Sequence, residues 1–190
     1  TQFMRQVWNL DRYYDTADFN LLNQAVFVRM RNKARLEFKF NEQAELAHTH
    51  CTEYTFSLVP EPEPARQMNA LFSRFLPGWR YAKTVHEAIA RNRLCEMARI
   101  ENYRMQYALE DAIVSIDRVK ELGDFLEMEI QCREEWETQQ SLMRLEGMVA
   151  GIALRTVRVG YVELWLQKYY PHIYQRGKYR EDPLSSSGAG

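Results

Sequence analysis

The sequence predicts an α+β domain dominated by an antiparallel sheet. Alternating, strand-like runs fill most of the chain, one helical run interrupts them, and two helical runs follow them. Helices that are segregated from a set of strands in this way are typical of α+β folds. A length of 190 residues fits one domain with a sizeable core. We assign that domain to residues 1–180 and expect the low-complexity residues 181–190 to form a flexible tail.

The first half of the chain supplies four predicted strands. One covers about residues 3–14 and ends at the turn-forming "DTAD". Two more cover 25–31 and 35–40, joined tightly by "RNKA", and "CTEYTFSLV" at 51–59 alternates in the same way. Alternation of apolar and polar residues over short runs is the signature of a half-buried strand.

A helix is predicted next, and the run after it is ambiguous. The prolines of "PEPEPARQMNALFSRFL" oppose a strand, and apolar residues then recur at helical spacing. "HEAIARNRLCEMARIE" has good helix propensity and also alternates, so helix and strand both remain open for 88–97.

The last part of the chain predicts three strands and two helices. "YRMQYALEDAIVSIDRV" forms two strands around a turn at Glu110 and Asp111, and "GDFLEMEIQC" forms another after Gly123. A long amphipathic helix follows from Glu134. "GYVELWLQKYY" forms a second helix, which Pro171 ends.

Composition excludes several classes of function. With 25 basic and 26 acidic residues the net charge is −1, so the chain has no general basic field for nucleic acid. No apolar run approaches the roughly 20 residues that span a bilayer, so we expect no membrane partner. The three cysteines are widely spaced and show no pairing pattern. They predict a reduced compartment, the cytoplasm or an organelle matrix.

Charge is sorted by sign among the predicted strands. Arg29 and Arg31 share one strand face, and Glu127 and Glu129 share another. Exposure of the charged faces to water would explain the pattern of each strand taken by itself. A sheet curled with its charges inward would instead need an occupant, because buried charge is costly. Carboxylates suit a divalent cation and arginines suit phosphate, so a metal–polyphosphate complex satisfies both.

Several motifs together resemble the CYTH superfamily of triphosphate tunnel metalloenzymes. They are "YYDTADFNLL", "FVRMR", "LEFK", "TEY", the "RNR" pair, "SID", "GDFLEMEI" and "YVELWLQKYYPHIY", in that order over about residues 8 to 175. This superfamily includes thiamine triphosphatase, inorganic triphosphatases and class IV adenylyl cyclases. The resemblance implies an eight-stranded antiparallel β-barrel tunnel with flanking helices, and it implies that 88–97 is a strand.

The resemblance also implies a set of site residues. Phosphate would be bound by basic residues, of which Lys39 and Arg93 occupy catalytic positions: Arg29, Arg31, Lys39, Arg91 and Arg93. Mg²⁺ or Mn²⁺ would be held by acidic residues: Glu127, Glu129, Glu53 and Asp117. Because like charges would repel in an empty tunnel, we expect replacement of Arg29 or Arg31 by alanine to leave folding intact.

The sequence departs from the superfamily at two places. The E-x-E-x-K strand that supplies two metal carboxylates and a lysine does not precede Tyr13. We therefore expect the natural chain to begin roughly 20–40 residues earlier, the length of a strand and a crossing helix. Thr55 and Tyr161 stand where the thiamine triphosphatase branch has lysines, which argues against a thiamine substrate.

These features predict a metal-dependent phosphohydrolase that acts on inorganic tripolyphosphate or a nucleoside triphosphate. A class IV adenylyl cyclase is an alternative, in which a ribose hydroxyl replaces water as the nucleophile. A non-catalytic polyphosphate- or nucleotide-binding protein, or a structural subunit, is another. The partner would be a triphosphate-containing small molecule, and a homodimer or a larger assembly remains open.

Overall fold

The computed structural model describes residues 1–41, 51–132, 134 and 136–178. The predicted tail at 181–190 lies outside these residues. The strands are β1 (Gln2–Asp15), β2 (Phe27–Arg31), β3 (Arg35–Phe40), β4 (Thr52–Ser57), β5 (Cys95–Leu109), β6 (Ala112–Val119) and β7 (Gly123–Ile130). The helices are α1 (Pro62–Phe75), α2 (Val85–Arg91), α3 (Glu137–Met148), α4 (Tyr161–Tyr169) and α5 (Pro171–Tyr174).

The strands form one antiparallel sheet in the order β4-β3-β2-β1-β5-β6-β7. The sheet is curled, and the predicted antiparallel α+β fold is confirmed. The prediction of a closed eight-stranded barrel is corrected. The described residues contain seven strands, and the edge strands β4 and β7 do not pair with each other. A barrel closes only when its two edge strands are hydrogen-bonded.

Residues 88–97 are the second correction, because the expected strand covers only their last three residues: α2 extends to Arg91, a turn follows, and β5 begins at Cys95. The Thr84 side chain caps this helix by accepting a hydrogen bond from the Glu87 backbone N–H at 3.1 Å. Arg93 then takes a left-handed conformation with φ 53°, and β5 begins at Cys95. The local helix propensity therefore decided the structure here.

Two apolar clusters hold the helices against the sheet. On one face of β2 and β3, Leu36 and Phe38 pack with Met68 and Phe72 of α1. The rings of Phe38 and Phe72 meet edge to face at 4.5 Å. The second cluster joins β5 and β6 to α4 and α5 and includes Ile100, Val119, Val162, Leu166 and Tyr174. Strand alternation leaves the other side chains of β2 and β3, which are mostly charged, on the concave face of the sheet.

The described helices include none that is both long and apolar enough to cross a membrane. Cys51, Cys95 and Cys132 are free thiols.

Candidate functional site

The concave face of the sheet encloses a cavity of about 700 Å³, which we call the charged cavity. Among the residues that the structure describes, six basic and six acidic residues line it. The basic residues are Arg5, Arg29, Arg31, Arg35, Lys39 and Arg104. The acidic residues are Asp11, Glu37, Glu53, Glu127, Glu129 and Glu163. The structure thus brings together Arg29, Arg31, Lys39, Glu53, Glu127 and Glu129 from the predicted site.

Arg29 and Arg31 are paired with acidic residues on neighbouring strands. The register sets Arg29 opposite Glu37 and Arg31 opposite Asp11. Arg29 Nε lies 2.7 Å from Glu37 Oε2. Arg31 binds Asp11 through two contacts of 2.7 and 2.6 Å. The expectation that these arginines repel each other was therefore wrong, because each carries its own counter-charge.

Glu37 lies at the centre of this arginine group. It is buried, and it contacts Arg29 and also Arg35, whose Nε lies 2.5 Å from Glu37 Oε1. Burial alone raises the pKa of Glu37, but Arg29, Arg31 and Arg35 outweigh it and lower that pKa to about 2. Glu37 is therefore ionised at neutral pH and holds the guanidinium groups in place.

Lys39 and Glu53 form a second pair at the β4 edge of the sheet. Lys39 Nζ lies 3.0 Å from Glu53 Oε1, and both side chains are about half exposed. Burial opposes the charge on Lys39, but Cys51, Glu53 and Glu127 outweigh it and raise the pKa of Lys39. Lys39 therefore stays protonated, on a flexible stem that water can reach.

Arg104 is a site residue that the sequence analysis missed. It projects from β5 and binds Asp117 of β6 through two contacts, Nε–Oδ1 at 2.7 Å and Nη2–Oδ2 at 2.6 Å. Arg104 Nη2 also contacts Glu127 of β7. The register opposes Arg104 and Asp117, so the predicted hairpin around Glu110 and Asp111 could have indicated the pair. Arg104 connects the arginine side of the charged cavity to its acidic side.

The four predicted metal ligands do not form one ligand set. Asp117 is fully buried, and both of its carboxylate oxygens accept hydrogen bonds from Arg104. The Tyr161 hydroxyl also donates to Asp117 Oδ2 at 2.7 Å. Glu127 contacts Arg104, and Glu53 contacts Lys39. Among residues 1–41, 51–132, 134 and 136–178, no group of three or more histidine, cysteine or acidic residues is arranged to hold a metal ion. The described side chains therefore do not provide a preformed metal centre.

Glu129 differs from the other three carboxylates. In the part of the chain that the structure describes, it has no ion-pair partner. Burial raises its pKa, and the nearby charge of Glu127 raises it further. Glu53, on the opposite edge strand, acts in the same direction, whereas Arg104 and Lys39 lower the pKa. The net effect is a raised pKa, so the ionised form of Glu129 is less favourable than that of an isolated solvated carboxylate.

The CYTH domain family matches residues 5–158, most of the chain. This protein belongs to the CYTH domain family. Enzymes of the family generally depend on a divalent metal ion, and the family binds triphosphate substrates. A search of curated proteins finds no match to this chain.

Solved structures share the fold of this CYTH domain at low sequence identity. The PH1819 protein of Pyrococcus horikoshii OT3 is 18% identical, with a TM-score of 0.61 and coverage of 88% of each chain. A conserved hypothetical protein of Pyrococcus furiosus is 20% identical, with a TM-score of 0.54 and coverage of 86% of this chain and 85% of its own. HpAC1 of Hippeastrum, described as a proposed adenylyl cyclase that reveals a dominant triphosphatase activity, is 15% identical. Its TM-score is 0.53, and 88% of this chain and 84% of its own are covered.

Arg91 and Arg93 do not line the charged cavity of this CYTH domain. Arg91 ends α2 and binds Glu87 one turn earlier, Nη1–Oε1 at 2.8 Å. Arg93 follows in the turn before β5. Both line a separate, smaller depression. Their predicted positions in the tunnel depended on the strand at 88–97, which the helix replaces.

Asp15 of the "YYDTADFNLL" motif has a structural role in this CYTH domain. The buried Asp15 side chain accepts hydrogen bonds from the backbone N–H groups of Thr16, Leu21 and Leu22 at 2.7, 2.9 and 2.9 Å. These bonds fix the turn that leads from β1 to β2. Asp15 therefore helps to set the position of β2, which carries Arg29 and Arg31.

Proposed function

We propose that this CYTH domain binds the complex of a linear triphosphate with Mg²⁺ or Mn²⁺ in the charged cavity and hydrolyses a phosphoanhydride bond. The observation that carries the proposal is the balance of six basic and six acidic residues among the described residues that line the cavity. A bare triphosphate would bring several uncompensated negative charges into a partly desolvated space. A metal–triphosphate complex carries fewer, and its positive and negative parts match the two kinds of side chain.

The arginine side of the charged cavity would bind the phosphate oxygens. Asp11 and Glu37 hold Arg29 and Arg31, which restricts their side chains before any ligand arrives. A guanidinium group has five N–H donors, so donors remain after these pairs are made. Donors that are already oriented stabilise the charge that develops on a transferring phosphoryl group.

Lys39 and Arg104 would complete the phosphate contacts from two directions. Lys39 is half exposed and pairs with Glu53 through its tip, so it can turn toward a phosphate oxygen at little cost. Arg104 stands between Asp117 and Glu127 and faces the middle of the charged cavity. Together these residues surround a chain of phosphates instead of a single one.

The acidic side would meet the metal ion that arrives with the substrate. Glu127 and Glu129 lie on β7, and the raised pKa of Glu129 reports an unfavourable negative charge. A divalent cation near Glu129 would relieve that charge. Hard divalent cations prefer carboxylate oxygens and phosphate oxygens together, which is the arrangement proposed here.

Hydrolysis is the reaction we adopt. Water attacks the terminal phosphorus, the bond to the bridging oxygen breaks, and tripolyphosphate yields orthophosphate and pyrophosphate. The dominant triphosphatase activity described for the fold neighbour HpAC1 supports this choice over cyclisation.

A substrate panel tests the proposal. Tripolyphosphate and ATP are each incubated with the chain in Mg²⁺, in Mn²⁺ and in EDTA, and orthophosphate, pyrophosphate and cyclic AMP are measured separately. We expect orthophosphate release that requires the metal, and its loss in Arg104→Met/Asp117→Asn but not in Arg118→Ala. Cyclic AMP with pyrophosphate would show the cyclase instead. No product from either compound would contradict the enzymatic proposal.

A further inference from the structure

We propose a second anion site, separate from the charged cavity, that takes a small phosphate-bearing anion such as orthophosphate or pyrophosphate. It is a depression of about 260 Å³, which we call the arginine depression. The segment 76–80, the end of α2 with the following turn, and the turn after β1 form it. Its lining residues are Thr16, Asn20, Leu76, Pro77, Gly78, Trp79, Arg80, Arg91, Asn92 and Arg93.

Charge is the first argument. Within the described part of the chain, three arginines and no acidic residue line the arginine depression, whereas the described lining of the charged cavity is balanced. Arg91 shares its charge with Glu87. Arg80 and Arg93 make no ion pair within the described residues. A metal-free anion would therefore gain more from this depression than from the charged cavity.

Asn92 gives the arginine depression a fixed shape. Its Oδ1 accepts a hydrogen bond from the Arg80 backbone N–H at 2.7 Å, and its Nδ2 donates to the Arg80 carbonyl at 2.9 Å. The same Nδ2 donates to the Ala88 carbonyl of α2 at 3.0 Å. The Asn92 side chain thus links the backbone at Arg80 to the end of α2. These hydrogen bonds fix the distance between the two sides of the depression.

The backbone at Arg93 supports a positioned arginine. Its φ of 53° is a left-handed conformation that is unfavourable for a non-glycine residue. The Leu94 N–H, which donates to the Ile89 carbonyl at 3.0 Å, holds this turn. The turn places Arg93 beside the depression, immediately after Arg91 and Asn92.

Size and donor chemistry point to a small oxyanion. Pockets for drug-sized ligands usually measure about 300–1,000 Å³, and 260 Å³ lies below that range. Guanidinium groups bind phosphate oxygens through paired N–H donors. Because the three arginines are exposed, binding should weaken as salt is added.

The test is a titration of pyrophosphate into the whole chain without metal, in the presence of EDTA. Backbone amide NMR spectra are recorded at each pyrophosphate concentration. We expect saturable shifts at Arg80, Asn92 and Arg93 that weaken as NaCl is raised. The double variant Arg80→Gln/Arg93→Gln should bind at least tenfold more weakly. Arg118→Gln is the matched control, since Arg118 is an exposed arginine on β6, paired with Asp124, and it should bind as the wild type does.

Three results would each overturn the second site. They are amide shifts at Lys39 and Glu129 alone, amide shifts that do not saturate, and unchanged pyrophosphate binding in the double variant. Amide spectra of each variant before titration show that it is folded. The experiment contains no metal and measures no turnover, so it does not depend on the proposed hydrolysis. Either proposal can fail while the other stands.

Discussion

Arg104 of β5 and Asp117 of β6 form a two-point ion pair, and the hydroxyl of Tyr161 on α4 donates to the same Asp117 oxygen that Arg104 Nη2 contacts. Asp117 is fully buried, whereas Arg104 keeps a small exposed fraction that faces the charged cavity. Burial opposes the charge of Arg104, yet Asp117 and Glu127 outweigh it and raise its pKa. One carboxylate therefore both anchors a cavity arginine and joins the sheet to α4.

Arg104→Met should destabilise the fold, because it leaves Asp117 buried without its counter-charge. Loss of one partner from a buried pair costs roughly 3–5 kcal/mol. The double variant Arg104→Met/Asp117→Asn removes both charges and should recover most of that loss. It should still fail to bind metal–triphosphate. Urea unfolding measures the stabilities, and calorimetry measures the binding.

Arg118→Ala is the control for that experiment. Arg118 pairs with Asp124 on the exposed side of the same strands, and such surface pairs contribute at most about 1 kcal/mol. If Arg104→Met unfolds at the same urea concentration as the wild type, the pair does not hold the structure together.

Glu37→Gln should lower stability in a manner that depends on pH. Since its pKa falls from 4.5 in the unfolded chain to about 2 in the folded one, ionised Glu37 contributes roughly 3 kcal/mol. That contribution is complete above pH 4.5 and is lost as the pH falls from 4.5 toward 2. The stability difference between wild type and Glu37→Gln should therefore be largest at neutral pH and shrink over this interval.

The corresponding difference for Glu146→Gln should be small and flat, because Glu146 is exposed on α3. Urea unfolding at a series of pH values checks both variants. If the stability difference between the wild type and Glu37→Gln does not change between pH 7 and pH 2.5, the arginines do not stabilise an ionised Glu37.

Glu129→Gln should leave the free protein at least as stable as the wild type. Its pKa is raised by burial and by Glu127, so removing its charge relieves an unfavourable interaction. The same change should greatly reduce metal-dependent hydrolysis. Thermal unfolding without metal and the phosphate assay measure the two effects, and Glu146→Gln serves again as control. Full activity in Glu129→Gln would show that the carboxylate faces only solvent.

Asp15→Ala should destabilise the protein by about 3 kcal/mol or more, because three backbone N–H groups lose their acceptor. Asp18→Ala changes an exposed residue of the same turn and should cost about 0.5 kcal/mol or less. Chemical denaturation compares the two. Equal stability of both variants would exclude a structural role for Asp15.

The sequence predicted a strand at the position of each of the seven strands that the structure describes, but it predicted β5 only from Tyr103, whereas that strand begins at Cys95. It could not predict closure of the sheet, since closure depends on whether two edges far apart in the chain pair. At 88–97 the resemblance implied a strand, but helix propensity was the better guide up to Arg91, and the strand begins only at Cys95.

The site was predicted less completely because it depends on register. Alternation shows which residues share a face, but not which residue of the next strand each one meets. Arg29 and Arg31 line the charged cavity, while their partners Glu37 and Asp11 were missed. Arg104 was also missed, although the register of the predicted hairpin sets it opposite Asp117.

Calorimetric titration of tripolyphosphate, with and without Mg²⁺, tests most directly whether the charged cavity takes a metal–triphosphate complex. The complex is formed before injection, and the Arg80→Gln/Arg93→Gln variant is used so that the arginine depression does not contribute. We predict binding at least tenfold tighter with Mg²⁺ than in EDTA, and loss of that difference in Glu129→Gln. Equal affinity with and without Mg²⁺ would contradict the account.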